Sequence, residues 1–475
     1  MADRERLVLR GGADGLDLAV EDGRIAAVGP DLDGSTVVEL EGATVLPAFV
    51  DHHVHTVRTG FALTGLDLTG VPTLTGSLDA LAAHAVASPE AGVLVGQGWD
   101  ETGWSEQRPP TGDELERAAP GRRSYLTRVD GHSSVISPAL AALVPGVEDL
   151  DGWTPDGRVE RDAHHAVRAV LETLITDADR LDAARAACRA MAAHGIASFH
   201  ENAAPHIGPE TEIALVRQAA EEVGLRAVVY WGELLAVDTA RRLGVAGLAG
   251  DLIADGAFGS RTAALTSPYD DAPHTCGHGY LTAEQVRDHV LACDEAGLQA
   301  GFHVIGDAAL DEVADGFELA DAARPVRPGH RLEHVELPSD HVVDVMARLR
   351  ITASVQPVFD ALWGGPAGMY AARLGGRWAE TNPFARLHAA GVRLAFGSDS
   401  PVTALGPWAA IRAAVEHHHP DHGVPHDVAL AAHTGGATLA VGQPADLAVW
   451  RDLDAEQPTL VRLLVGGRTL HEGDA

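Results

Sequence analysis

The stretch LPAFVDHHVHT, residues 46–56, joins an apolar run to an H-x-H pair and decides how the rest of the chain is read. Side chains alternate along an extended segment, so His53 and His55 point to one side and His52 to the other. Two imidazoles so placed at a strand end can share one ion. Beyond this stretch the chain repeats short apolar strands followed by Ala-rich helical segments, the rhythm of a parallel sheet or barrel built from βα units.

Strands are expected at 45–50, 92–96, 124–129, 196–199, 226–231, 251–254, 299–304, 331–335, 351–355 and 393–396. Ten strands are two more than a (β/α)8 TIM barrel needs. The segment 70–160 carries two of them with many Gly and Pro residues, and is read as an insertion between the first and second barrel strands. Both chain ends instead alternate in strand fashion around the turns Asp22-Gly23 and Gly466-Gly467. Neither end has enough apolar surface to fold alone, so the two are expected to pair into one discontinuous β-sandwich. The expected organisation is sandwich over 1–47, barrel with insertion over 48–430, and sandwich again over 431–475.

In a parallel barrel the carboxyl ends of all strands meet on one face. GFHVIGDAA places His303 there, RLEHVEL places His334 and FGSDSPV places Asp399. Imidazole nitrogens and a carboxylate suit Zn, Mn, Fe or Ni with an open position for water, and one or two divalent transition-metal ions, zinc first among them, are expected. Asp399 is also the candidate base for moving a proton between water and a leaving group. With 25 histidines some reach strand ends by chance, and it is the joint pattern that carries the reading. His164, His165, His417 to His419, His422 and His426 lie on polar stretches and are expected on solvated faces. His200-Glu201 is not a zinc-protease helix, because Pro205 interrupts it and no histidine follows at i+4.

The chain has 475 residues and a formal charge of −33, which repels polyanions and argues against nucleic acid as a partner. All 35 basic residues are arginine, so Schiff-base enzymes and Walker-type phosphate loops are excluded. Cys188, Cys276 and Cys293 are odd in number and widely spaced, which fits a reducing compartment. No signal peptide or membrane-crossing apolar run is apparent, and a cytoplasmic protein without membrane partners is expected.

Taken together, LPAFVDHHVH, GQGWDETGW, RPPTGDEL, RVDGHSSVIS, ADGAFGSRTAAL, GFHVIGDAA, RLEHVEL, FGSDSPV and GQPADLAVW resemble the amidohydrolase superfamily. Within it the chain is similar to the amidohydrolase-3 branch, the group of N-substituted formamide deformylases. The resemblance spans nearly the whole chain. It implies the barrel-and-sandwich fold, hydrolysis of C–N bonds by metal-activated water, and metal binding by His53, His55, His303, His334 and Asp399. Many relatives carry a lysine just before ADG, carboxylated to bridge two ions, where this chain reads GDLIADG with Asp251. Either another carboxylate bridges two ions or the site holds one. Glu201 is the preferred bridge and Asp251 the second choice.

The resemblance also implies that the insertion shapes a substrate pocket through Trp99, Asp100, Trp104, Asp130 and His132. The aromatic residues equally fit a packed lid. Arg261 suits bidentate contact with a substrate carboxylate or carbonyl, with an internal salt bridge as the equal competitor. His132 or Arg261 is expected to stabilise a developing oxyanion, and Gln356 is a weaker substrate contact. The expected partner is a small molecule with an amide, formamide or cyclic amide bond; homo-oligomer formation stays open. Deamination of a heterocycle and a catalytically silent ligand-binding barrel are the alternatives.

Overall fold

The computed structural model describes residues 6–89, 92–128 and 133–473. The chain divides into two compact units, Met1–Thr56 with Ala187–Ala475, and Val57–Ala186.

The first unit holds an eight-stranded parallel sheet. Its strands are β1 Phe49–Val54, β2 Ile196–Ala203, β3 Arg226–Trp231, β4 Gly247–Leu248, β5 Gln299–Val304, β6 Arg331–His334, β7 Thr352–Val355 and β8 Leu394–Phe396. They neighbour one another in sequence order, as a TIM barrel requires. The sheet closes where β1 runs on toward the segment after β8: Asp399 N donates to His53 O at 2.7 Å and His55 N to Ser400 O at 3.0 Å. The seam of the barrel is therefore made by the backbone of three of the expected metal ligands.

Two strands differ from the sequence reading. The run 45–50 is cut at Pro47, which lacks an amide hydrogen; Thr44–Pro47 joins an antiparallel sheet and the barrel strand starts at Phe49. The fourth barrel strand is Gly247–Leu248, so 251–254 lies beyond its carboxyl end and meets β5 through the Ile253 to His303 bridge. A two-residue strand leaves too short an apolar run to be recognised by pattern.

The two chain ends form two four-stranded sheets. One contains Leu7–Arg10, Asp17–Glu21, Arg24–Gly29 and Thr36–Glu39; the other contains Thr44–Pro47, Leu447–Arg451, Thr459–Val465 and Arg468–Glu472. Leu9, Val20 and Ile25 from the first end pack with Leu447, Val449 and Leu464 from the last in one apolar core. Asp22 and Gly23 both have positive φ, as do Gly466 and Gly467, the requirement of a tight type I′ hairpin.

The second unit carries Leu94–Trp99 and Ser124–Arg128, the two surplus strands, in a five-stranded sheet with Leu66–Asp67, Ser133–Ile136 and Arg158–Glu160. The helix Arg161–Leu174 belongs to it because Ala163, Val167 and Leu171 pack on Tyr125, Ile136 and Val159. No helix among the described residues is long and apolar enough to cross a membrane.

Candidate metal centre

Strand β1 delivers the H-x-H pair as its alternation dictates. His53 is fully buried and His55 nearly so. His52 turns the other way, with Nδ1 3.1 Å from the carbonyl of Phe396; burial, reinforced by the Arg331 charge, brings it down to about 3.

Around the H-x-H pair the barrel gathers two carboxylates. His53 Nε2 lies 3.4 Å from Asp251 Oδ1 and 3.4 Å from Asp399 Oδ1. His55 Nε2 lies 3.4 Å from Asp251 Oδ2 and 3.1 Å from Asp399 Oδ1. Two donor groups result, His53 with His55 and Asp399, and His53 with Asp251 and His334, each with its ligand atoms within 4.8 Å of one another. His303 stands beside them, its ring centroid 4.4 Å from that of His334 and its Nδ1 3.9 Å from Asp251 Oδ1.

The backbone is bent to achieve this. His334 and Asp399 have φ of 71° and 54°, a left-handed conformation that costs a non-glycine residue about 1–3 kcal/mol. The bend at His334 breaks the strand alternation, so that Glu333 and His334, adjacent in sequence, both face the centre.

The donor chemistry fits a divalent ion. His53 Nε2 and Asp251 Oδ1 are buried without a hydrogen-bond partner among the described residues, a condition that costs free energy unless something else satisfies them. The imidazoles are also set in the right tautomer. His53 Nδ1 donates to Glu333 at 2.9 Å, His334 Nδ1 to Gln356 Oε1 at 2.9 Å, and His303 Nε2 to the Gly256 carbonyl at 3.3 Å. Each then keeps a lone pair on its other nitrogen, which is what a ligand needs. Without an ion, burial drags the His53 imidazole down, but Asp399, Glu333 and Asp251 outweigh it and hold it well above the usual range. Burial likewise pushes Asp399 up, and His53 and His55 overcome it and hold it well below.

The amidohydrolase family pattern matches residues 36–471. The chain belongs to the amidohydrolase family. Among individual relatives, Protein LONG AFTER FAR-RED 3 of Arabidopsis thaliana is 27% identical over 84% of this chain and 74% of its own length. The N-substituted formamide deformylase of Arthrobacter pascens is 24% identical over 90% of this chain and 86% of its own. A metal-dependent hydrolase from Pyrococcus furiosus has the same fold, with a TM-score of 0.77 and 23% identity over 94% of this chain and 98% of that one.

Of the two candidate carboxylates in this amidohydrolase, Asp251 falls in one of the two donor groups and Glu201 in neither. Asp251 stands three residues beyond the end of the short β4 and just before the segment that bridges to His303. Gly232 makes room for it, since a Cβ there would come within 2.6 Å of the Asp251 carbonyl. Glu201, opposite Val54 in the β1–β2 register, accepts the Thr56 amide hydrogen at 2.8 Å instead. Burial pushes its carboxyl up, against His55.

Arg261 is engaged by Asp271, Nε to Oδ1 at 3.0 Å and Nη2 to Oδ2 at 2.7 Å, while Arg373 grips the same carboxylate. The internal salt bridge is thus the arrangement observed. Gln356 touches His334 and orients it. In the second unit Trp99 and Trp104 are buried in an apolar core, their indole N–H groups donating to the carbonyls of Leu126 and Val71. Asp100 pairs with Arg128 at 3.2 Å. Asp130 and His132 lie outside the described residues.

Two histidines expected on solvated faces are buried. His164 Nε2 lies 2.6 Å from the Tyr125 hydroxyl, and His417 faces Asp360 at 3.5 Å. Sequence reasoning also missed three buried acids. Glu333 holds His53; Asp51 accepts the amides of His53 and Ser398 at 3.2 and 2.9 Å, fastening β1 to β8. Asp255 accepts the amides of Ala264, Ile305 and Gly306 at 2.9, 2.9 and 2.8 Å, fastening the loop after β4 to the end of β5. The ADG and HVIGD motifs contained that signal, an acid and a glycine-bearing turn in separate segments.

Proposed function

We propose that this chain is a metal-dependent hydrolase that cleaves an amide, formamide or cyclic amide C–N bond of a small molecule. The observation that carries the reading is the convergence of His53, His55, His334, Asp251 and Asp399 with inward-facing lone pairs and two unpartnered buried atoms. His303 completes the set from β5. A divalent ion held there, zinc foremost, supplies Lewis-acid chemistry, polarising a carbonyl and acidifying water.

The protein's own groups do the rest. Glu333 and Gln356 orient two of the imidazoles. Asp399, within 3.4 Å of both H-x-H nitrogens, accepts the proton released from water and returns it to the leaving nitrogen. Arg261 serves the loop after β4 through Asp271 and is not assigned to the substrate. Family membership and the formamide deformylase relative support a C–N bond as the target.

The test is a panel of N-formyl, N-acyl and lactam compounds assayed for amine or carboxylate release with zinc, manganese and cobalt. Asp399→Ala is expected to fold and to lose nearly all turnover. A folded Asp399→Ala with wild-type turnover refutes the assignment, and ammonia release from a heterocycle without a new carboxylate refutes the substrate class.

A further inference from the structure

The histidines of the centre are held by acceptors of unequal charge. His303 leans on a backbone carbonyl and His334 on the neutral Gln356 amide, whereas His53 donates to a carboxylate, Glu333. Glu333 has no solvent exposure, yet it is kept anionic by Arg331, whose Nη2 reaches Oε2 at 2.8 Å while Nε bonds Oε1. Arg331 is itself locked. Nη2 also donates to His52 O and Ser354 Oγ, each at 2.7 Å, Nη1 meets His200 Nδ1 at 2.7 Å, and the guanidinium lies 4.7 Å from the Tyr230 ring centre.

A buried ion pair is a weak device for stability, because well-packed apolar residues commonly serve as well or better. Here the pair does something apolar residues cannot. An anionic acceptor draws the Nδ1 proton of His53 toward itself and raises electron density on Nε2, the atom that points at the centre. His53 is also the member common to both donor groups.

We propose that Glu333 is a positioning residue that makes His53 Nε2 the strongest nitrogen donor of the set, so that the first metal ion is captured around His53. The proposal rests on the metal-dependent reading above. Arg331 is the counter-charge that lets Glu333 remain ionised inside the barrel, and the neutral contacts of His334 and His303 make those residues weaker donors.

The experiment titrates the metal-free full-length protein with Zn2+ by isothermal titration calorimetry. Glu333→Gln keeps an oxygen for the His53 N–H and removes the charge, while turning an NH2 group toward Arg331 Nε. It is expected to weaken the tightest Zn2+ site by roughly 10- to 100-fold without changing the circular dichroism of the metal-free protein. Since Glu333→Gln leaves Arg331 buried without its partner and is liable to misfold, the double variant Arg331→Met/Glu333→Gln removes both charges and carries the same expected loss. A folded variant of either kind that binds Zn2+ as tightly as wild type overturns the proposal while leaving the hydrolase reading intact. Wild-type protein that takes up no Zn2+, Mn2+ or Co2+ overturns both.

Discussion

Gly397→Ala probes the link between barrel closure and the metal centre with a single methyl group. A Cβ on Gly397 would lie 2.4 Å from His53 N, 2.7 Å from its Cβ and 3.0 Å from its Cα, where ordinary contact begins at 3.4 Å. The strands β1 and β8 must therefore part by about 1 Å, and neither partner can yield by a side-chain rotation because the nearest atoms are backbone. The seam they share includes the 2.7 Å bond from Asp399 N to His53 O. Metal–ligand distances hold to within about 0.2 Å, so a 1 Å parting withdraws Asp399 from the set. The overpacking itself costs about 1–3 kcal/mol. The expected protein is folded, melts below wild type, and retains little metal by plasma mass spectrometry after gel filtration. Gly376→Ala is the control: nothing lies within 4 Å of its Cβ, and a change within about 0.5 kcal/mol is expected. Gly397→Ala with wild-type metal content and melting temperature refutes the claim that this seam sets ligand geometry.

Asp251→Ala is expected to lower the metal content per chain, whereas Glu201→Ala leaves it unchanged because that carboxylate is committed to the Thr56 amide; the opposite outcome by the same mass spectrometry restores Glu201 to the ligand set. Asp255→Asn can satisfy the two amides at one oxygen but turns an NH2 group toward the third, a loss of about 1–3 kcal/mol, read as faster hydrogen exchange at Ala264, Ile305 or Gly306. Arg261→Ala is expected to leave KM unchanged and to loosen the loop around Asp271, and a large rise in KM at constant melting temperature would return Arg261 to substrate binding. Dialysis against a chelator is expected to lower the melting temperature, since an ion present at 100 times its Kd contributes about 2.7 kcal/mol to the native state.

The barrel and its paired ends were legible because their signals are local. The H-x-H pair needs only strand alternation, and His303, His334 and Asp399 each close a recognisable apolar strand. Other features have no local signal. A strand as short as Gly247–Leu248 is identified by its neighbours' hydrogen bonds, and the break at Pro47 matters only because a second sheet waits to receive Thr44 to Pro47. The burial of His164 and His417 follows from what packs over them, which polar flanking residues conceal.

The residues themselves determined which chemistry was available: imidazoles and carboxylates at strand ends, arginine as the basic side chain throughout, and no lysine to carry a bridging carbamate. Tertiary structure decided which carboxylate stands among the histidines. Asp251 and Glu201 are equivalent as chemical groups, and the choice depends on where β4 stops, how β2 registers with β1 and which backbone amide stands unpaired nearby. It also made Glu333 part of the centre, since its meeting with His53 spans 280 positions of sequence and exists only because a closed parallel barrel turns the interior faces of its strands toward one another.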